Sequence, residues 1–310
     1  MLWLVWRQHR WQFLAVAAVV AAYCGYLLWL ARAAPAAVEV CLTGPTGDCT
    51  EINEITSSWR DLVLAGNLLP LAVGVFWGTP LLAREVEQGT IRLAFTQSVS
   101  RRRWLAAKLG VLAAVAAALG LVVGGTVTWS SGRFDSLSGR PFGDAVLFSQ
   151  AGLVPVATWV FALLAGVALG GFLRRLMPAV AATIVALALA FAGLVALRPH
   201  LIPPVAQVVG AEQMVGDPSP EAADVGWIYG LSYLDSSGHE LGSAAAGARC
   251  ADPANTYPTP DCVTRLGLRQ RIVYQPADRY VWFQLVEAGL LLVISAGLAS
   301  GVRRRVADAA

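Results

Sequence analysis

The sequence predicts an all-α membrane protein with six transmembrane helices, both termini cytoplasmic, and a larger extracytoplasmic segment before the last helix. Three observations lead there. Of 310 residues, 56% are hydrophobic and only 14% charged, whereas soluble domains carry about 25% charged residues. Several apolar runs reach the roughly 20 residues that a helix needs to cross a hydrocarbon core about 30 Å thick, and in lipid each backbone amide must be paired within the helix. The basic residues, finally, concentrate in short segments that alternate along the chain.

The first span, Phe13 to Leu30, follows Arg7, His9 and Arg10, which are set among Trp3, Trp6 and Trp11. Its apolar run is longer than the core of a secretory signal, so it reads as an uncleaved span despite the small residues from Ala31 to Ala37. The later spans are Leu62 to Leu82, Leu105 to Val127, Phe148 to Leu173, Pro178 to Leu197 and Tyr280 to Gly301. Pro70, Pro80 and Pro155 fall inside these runs or at their ends. Membrane helices tolerate such prolines as kinks because neighbouring groups re-satisfy the freed carbonyls. Small residues crowd two spans, at Gly120, Gly124 and Gly125 and at Gly166, Gly170 and Gly171. They permit close helix contact, either within the subunit or along a dimer seam.

Six crossings put both termini on one side, and charge says which. Arg7 and Arg10; Arg84, Arg92, Arg101, Arg102, Arg103 and Lys108; Arg174 and Arg175; and Arg303, Arg304 and Arg305 make thirteen of the 23 basic residues. All lie in the short segments on the side of the termini, which the positive-inside rule assigns to the cytoplasm. Cysteine placement supports this topology. Cys41 and Cys49 fall in the first outer loop, Cys250 and Cys262 in the last, and Cys24 stands alone within the first span. Two close pairs on the oxidising side predict two local disulfides. Free thiols or a metal site are the alternatives, but no His accompanies either pair at zinc-like spacing.

Between the second and third spans, residues 83–108 form the one sizeable cytoplasmic loop. Arg84, Glu85, Glu87, Gly89, Thr90 and Arg92 come first, then Leu93, Phe95 and the run Arg101 to Arg103. Gly89 is a plausible helix terminus. The arginines are equally explained by contact with lipid headgroups. Glu85 and Glu87 are not, since acids gain nothing from an anionic leaflet.

This loop resembles that of the ABC-2 type ABC transporter permease family, in a bacterial, actinobacterial-like form. There the second span runs into an Arg-Glu-x-Glu-x-Gly-Thr stretch, a short polar segment, an Arg-rich turn and a Lys in the next helix. Arg84, Glu85, Glu87, Gly89, Thr90, Arg101 to Arg103, Trp104 and Lys108 follow that order. The resemblance extends to the six-span plan, so that residues 1–310 form a single transmembrane permease domain, although its specific part is about 25 residues. It implies that Arg84, Glu85, Glu87, Gly89, Thr90 and Arg92 dock on a cytoplasmic ABC ATPase. In such docking, ion pairs set the register and apolar groups anchor it. It also implies a second permease subunit as partner, in a homodimer within the bacterial plasma membrane. The stretch Trp3 to Trp11 resembles the family's interfacial connecting helix, although an aromatic belt explains it equally well.

No Gly-x-x-x-x-Gly-Lys-Ser/Thr loop occurs, so nothing cradles nucleotide phosphates. The chain is expected to bind no cofactor and no nucleic acid, with ATP and Mg held by the partner ATPase. Leu137-Ser138-Gly139 begins like an ATPase signature, but Arg140 and Pro141 follow. His239-Glu240 begins like a zinc-protease motif that lacks its second His. With only His9, His200 and His239 in the chain, a histidine-based metal or catalytic centre is not expected.

Gln284 and Glu287 lie three apart on one face of the last span. An acid inside a membrane is a translocation-path candidate by default; the alternative is a hydrated site near the outer interface, or pairing with Arg279 or Arg198. Residues 198–278 are too polar to cross and too long for a simple connection. A short helix is expected at Pro203 to Met214, with a small aromatic core from Trp227, Tyr229, Tyr233, Tyr257 and Tyr274, stapled by Cys250 and Cys262.

The resulting expectation is the permease subunit of an ABC transporter that exports a hydrophobic or amphipathic substrate such as a drug, peptide or lipid. A membrane scaffold or sensor is the alternative, and an intramembrane enzyme ranks last because the spans hold only isolated polar residues.

Overall fold

The structure is a computed structural model that describes residues 2–44, 48–87, 101–134, 142–210, 225–250 and 258–308. It divides into two compact units, Met1–Arg198 with Gln284–Ala310, and Pro199–Phe283.

Among the described residues, six helical segments are long and apolar enough to cross a membrane: Arg10–Thr43, Thr50–Arg84, Leu105–Ser131, Val154–Leu173, Leu176–His200 and Ala277–Arg305. They are numbered here as spans one to six. Each matches a run legible in the sequence, but several reach further. Span one belongs to one continuous helix, Leu2–Thr43, so the stretch Trp3 to Trp11 forms its first turns rather than a separate helix. Span two starts twelve residues before Leu62, because the polar stretch after Cys49 is helical too. The turn between these helices is closed by the disulfide Cys41–Cys49, with Cα atoms 4.5 Å apart.

Span four is the centre of the unit. Of its most apolar window, 67% is buried, against 11% for span five. Spans two and three pack directly on it. Such contacts need small residues, since lipid offers no hydrophobic drive for helix association. A Cβ added at Gly120 would stand 2.7 Å from the Pro155 carbonyl oxygen, and one at Gly124 would strike the Gly152 carbonyl. Gly166 and Gly170 face span two in the same way, whereas Gly125 has open space around it. A Cβ at Gly171 would meet only the Leu82 side chain, at 3.2 Å, so five of the six clustered glycines lie against another span of the same subunit.

The expected fourth span from Phe148 is broken. A short helix, Ala145–Gln150, is capped by Asp144, and the spanning helix begins only at Val154, with Pro155 in its first turn. Gly152 joins them at φ 66°, in the left-handed region that glycine enters without strain. Proline suits a helix start because its missing N–H has no partner there anyway.

The second unit corrects the all-α expectation. It holds a four-stranded antiparallel sheet in the order β1-β4-β2-β3, with β1 Val205–Val209, β2 Val225–Leu234, β3 Glu240–Gly242 and β4 Arg269–Pro276. Where a helix was expected after Pro203 and Pro204, the chain forms β1. Its three valines favour extended backbone, and β4 pairs with it from Val205 opposite Tyr274 to Val209 opposite Gln270. Among the described residues, which do not include Tyr257, the buried cluster is Tyr233, Leu241, Ala246, Val263 and Leu268, more aliphatic than expected. Trp227 instead packs against Tyr229, with ring centroids 4.4 Å apart. Cys250 and Cys262 form the second disulfide. It ties Cys250, just past the helix Ser243–Arg249, to Cys262 in the helix Pro260–Arg265.

Candidate functional site

Span two ends in the helix Thr79–Glu87, whose last turns carry Arg84 and Glu87, both exposed. The Glu85 side chain, with Gly89, Thr90 and Arg92, lies outside the described residues. Glu87 reaches the start of span five, where the Leu176 amide donates to its Oε2 at 3.4 Å. That bond is long, but it places a carboxylate at the positive end of a 26-residue helix, where the helix dipole favours it. Arg174 turns the chain between spans four and five at φ 55°. Span six returns to the same corner, with the Arg305 guanidinium 4.3 Å from the centre of the Phe172 ring. Lys108, the only lysine in the chain, is 2% exposed and sits two turns into the helix Arg101–Ser131, which contains span three.

Above Glu87, span two is not a regular α-helix. Val73–Gly78 is a π-helical segment, an insertion type that recurs at functional sites. Its glycines are pressed against span four. A Cβ at Gly74 would lie 2.7 Å from the Ala162 carbonyl oxygen, and one at Gly78 would strike the Leu163 carbonyl. Gly166 and Gly170 reciprocate against the backbone of Gly74 and Thr79.

At the end of the π segment, the Thr79 hydroxyl lies 3.1 Å from the Gly74 carbonyl and 3.1 Å from the Thr183 hydroxyl. Thr183 in turn lies 2.7 Å from the carbonyl of Ala179. Three contacts share two hydroxyl protons, so one is always unmade. Spans two, four and five are thus joined by a buried hydroxyl pair and a glycine seam directly above the Arg84–Glu87 turn. Phe13 of span one packs edge-on against Trp77 of the π segment, with ring centroids 5.3 Å apart.

The other end of the unit carries a second polar cluster. Arg198, at the end of span five, and Glu287, in span six, form a two-point ion pair: Nε to Oε2 at 2.9 Å and Nη2 to Oε1 at 3.1 Å. Each side chain is 2% exposed. The Arg198 guanidinium also lies 4.1 Å from the centre of the Phe148 ring and donates to the Ala145 carbonyl at 3.4 Å. One turn before Glu287, Gln284 Oε1 accepts from the amides of Leu153 and Val154 at 2.9 and 3.0 Å. Its Nε2 donates to the Phe148 carbonyl at 3.2 Å. The break in span four is therefore held by side chains of spans five and six.

Of the two arginines within sequence reach of Glu287, Arg198 is the partner. Arg279 donates instead to Gln275 Oε1 and to the Pro203 carbonyl. Around the cluster, Arg60 pairs with Asp144 at 2.6 Å, and the Trp59 indole donates to Ser130 at 3.1 Å. The Gly152 break, with Gln284 as its cap, was not read from sequence. The spacing of Gly152 and Pro155 was the available signal. Among the described residues, no group of three His, Cys, Asp or Glu side chains could hold a metal ion.

A family model described as ABC-2 membrane transporter related matches residues 13–198, a stretch that begins at the Phe13–Trp77 contact and ends at the ion-paired Arg198. No curated protein and no solved structure matches the chain.

Proposed function

We propose, on the premise that this chain belongs to the ABC-2 membrane transporter related family, that it is the permease subunit of an ABC exporter driven by a separate cytoplasmic ATPase. The family places it among the membrane components of ABC transporters, and its six apolar helices make it a multi-pass membrane protein. The observation that supports coupling is the continuity from Glu87 to the π segment. A push on the Arg84–Glu87 turn is delivered through rigid helix to a seam where glycine lets backbone meet backbone.

In this reading the termini and the loop 83–108 face the cytoplasm, and residues 198–278 are extracytoplasmic. Arg84, Glu85, Glu87, Gly89, Thr90 and Arg92 dock on the ATPase, which holds ATP and Mg²⁺. Two copies of the permease pair as a homodimer, surrounded by lipid, and the substrate is hydrophobic or amphipathic. Gln284 and Glu287 stand at the far end of its path. The chain itself performs no catalysis.

The test is purification from the native membrane in mild detergent, followed by identification of bound chains. The account predicts an ATP-hydrolysing chain in stoichiometric amount. A preparation that contains the permease alone, across detergents and nucleotide states, would favour a scaffold or sensor.

A further inference from the structure

We infer that Arg198, Glu287 and Gln284 are positioning residues of the transport cycle, a polar latch that holds the broken start of span four closed and releases it when the exit opens. The inference rests on the permease reading above and extends it to the opposite end of the spans from the docking turn.

Four observations converge on one place. The ion pair is fully desolvated and two-pronged, in a setting where an apolar pair of similar volume often serves stability as well or better. Its cation stacks on Phe148 and reaches the Ala145 carbonyl, so it grips the short helix before the break. Gln284 caps the first amides after the break and donates to the last helical turn before it. The break itself turns on Gly152 at positive φ. The short helix before the break and the start of span four after it are thus held by polar side chains from spans five and six, and by bonds that water can replace. Apolar packing here would close the same gap permanently. A hydrogen-bonded closure can open, because the separated groups are satisfied by the water that enters.

Ala151, in the break, is fully buried and offers a reporter. In a Cys24→Ala background, Ala151→Cys is the only free thiol, since the other four cysteines are paired. The complex with its ATPase is placed in nanodiscs and treated with a water-soluble maleimide. Resting protein is expected to label slowly, and trapping with ATP and vanadate to accelerate labelling. Glu287→Ala should label about a hundredfold faster without nucleotide, because it leaves the Arg198 charge buried and unpaired. The double variant Arg198→Met with Glu287→Leu keeps the gap filled and should fold as the parent does. It should stay protected both with and without nucleotide, which a merely structural pair would not cause.

Nucleotide-dependent labelling of the double variant equal to the parent would overturn the latch while leaving the permease reading intact. So would a parent that binds ATPase yet stays protected after vanadate trapping. A preparation without bound ATPase would instead overturn the permease reading, and the latch with it.

Discussion

Gly166→Ala is the substitution whose effect follows most directly from the fold. A methyl there meets the Gly74 carbonyl and, at 3.0 Å, the Thr79 amide nitrogen. Both are backbone atoms of span two, fixed by the π segment, and neither can swing aside as a flexible side chain would. Overpacking of this kind costs up to about 3 kcal/mol, offset by the roughly 1 kcal/mol that alanine gains over glycine inside a helix. The net is at most about 2 kcal/mol of destabilisation, which at 2–4 °C per kcal/mol lowers the unfolding midpoint by up to roughly 8 °C.

Gly193→Ala supplies the comparison. It lies inside span five with nothing within 4 Å of its Cβ position, so it keeps the propensity gain alone and should raise the midpoint by roughly 2–4 °C. Intrinsic tryptophan fluorescence during heating of the purified protein reads both variants on one scale, and Trp77 lies in the seam itself. If Gly166→Ala unfolds at or above the temperature of Gly193→Ala, spans two and four do not meet as described.

Reduction of Cys250–Cys262, which closes a loop of sequence separation 12, should loosen the second unit by about 3 kcal/mol on the chain-entropy account; hydrogen exchange confined to 199–283 measures it, and unchanged protection would exclude the bond. In the same unit, the Ser237 hydroxyl, then the His239 and Ser237 amides, hold the Asp235 carboxyl below its usual range. Bonds from Ser232 and Arg271 do the same for Glu240. A carboxyl with a depressed folded-state pKa contributes stability above its unfolded value and loses it as pH falls through the folded one. Protection of the β2–β3 turn amides, corrected for their intrinsic exchange rates, should therefore fall on acidification below about pH 4, and Asp235→Ala should flatten that fall; an acid-insensitive turn in the parent would contradict it. Trp59→Phe removes the donor to Ser130 and part of the stack on Phe134, 4.7 Å away. A loss of about 1–2 kcal/mol is expected from the broken bond and lost ring area, read in the same thermal assay and refuted by an unchanged midpoint.

The spans were legible because lipid imposes a length and a composition that few other structures satisfy. Their polar continuations were not: the residues after Cys49 are helical without being apolar, and hydropathy is silent about them. The π segment Val73–Gly78 leaves no mark in a uniformly apolar run, because periodicity carries no signal where every face is hydrophobic. Gly152 and Pro155 lay within a run read as one helix, and only a partner such as Gln284 reveals that the break is capped. The sheet escaped for a different reason. Strand β2 pairs with β4 through two irregularities, between Val225 and Trp227 and between Ile228 and Gly230, which scramble the alternation that betrays a strand. Before β1, the pair Pro203–Pro204 serves an extended segment as readily as a helix start.

Charge was read well as chemistry and poorly as geometry. Glu287 was recognisable as an acid that needs a partner, yet the choice of Arg198 over Arg279 depends on where span five ends, which composition does not specify. Glu87 was recognisable as misplaced for lipid contact. Its position at the start of span five follows from packing between helices nearly ninety residues apart in sequence.

The central claim is that the end of span two couples this chain to a cytoplasmic motor. Its most direct test compares native-membrane complexes of the parent and the Glu85→Ala plus Glu87→Ala variant, by the amount of ATPase bound and its hydrolysis rate. The account predicts a bound, active ATPase in the parent and its loss from a variant that retains the parent's unfolding temperature. Equal ATPase in both would remove these acids from the coupling site, and none in either would contradict the claim itself.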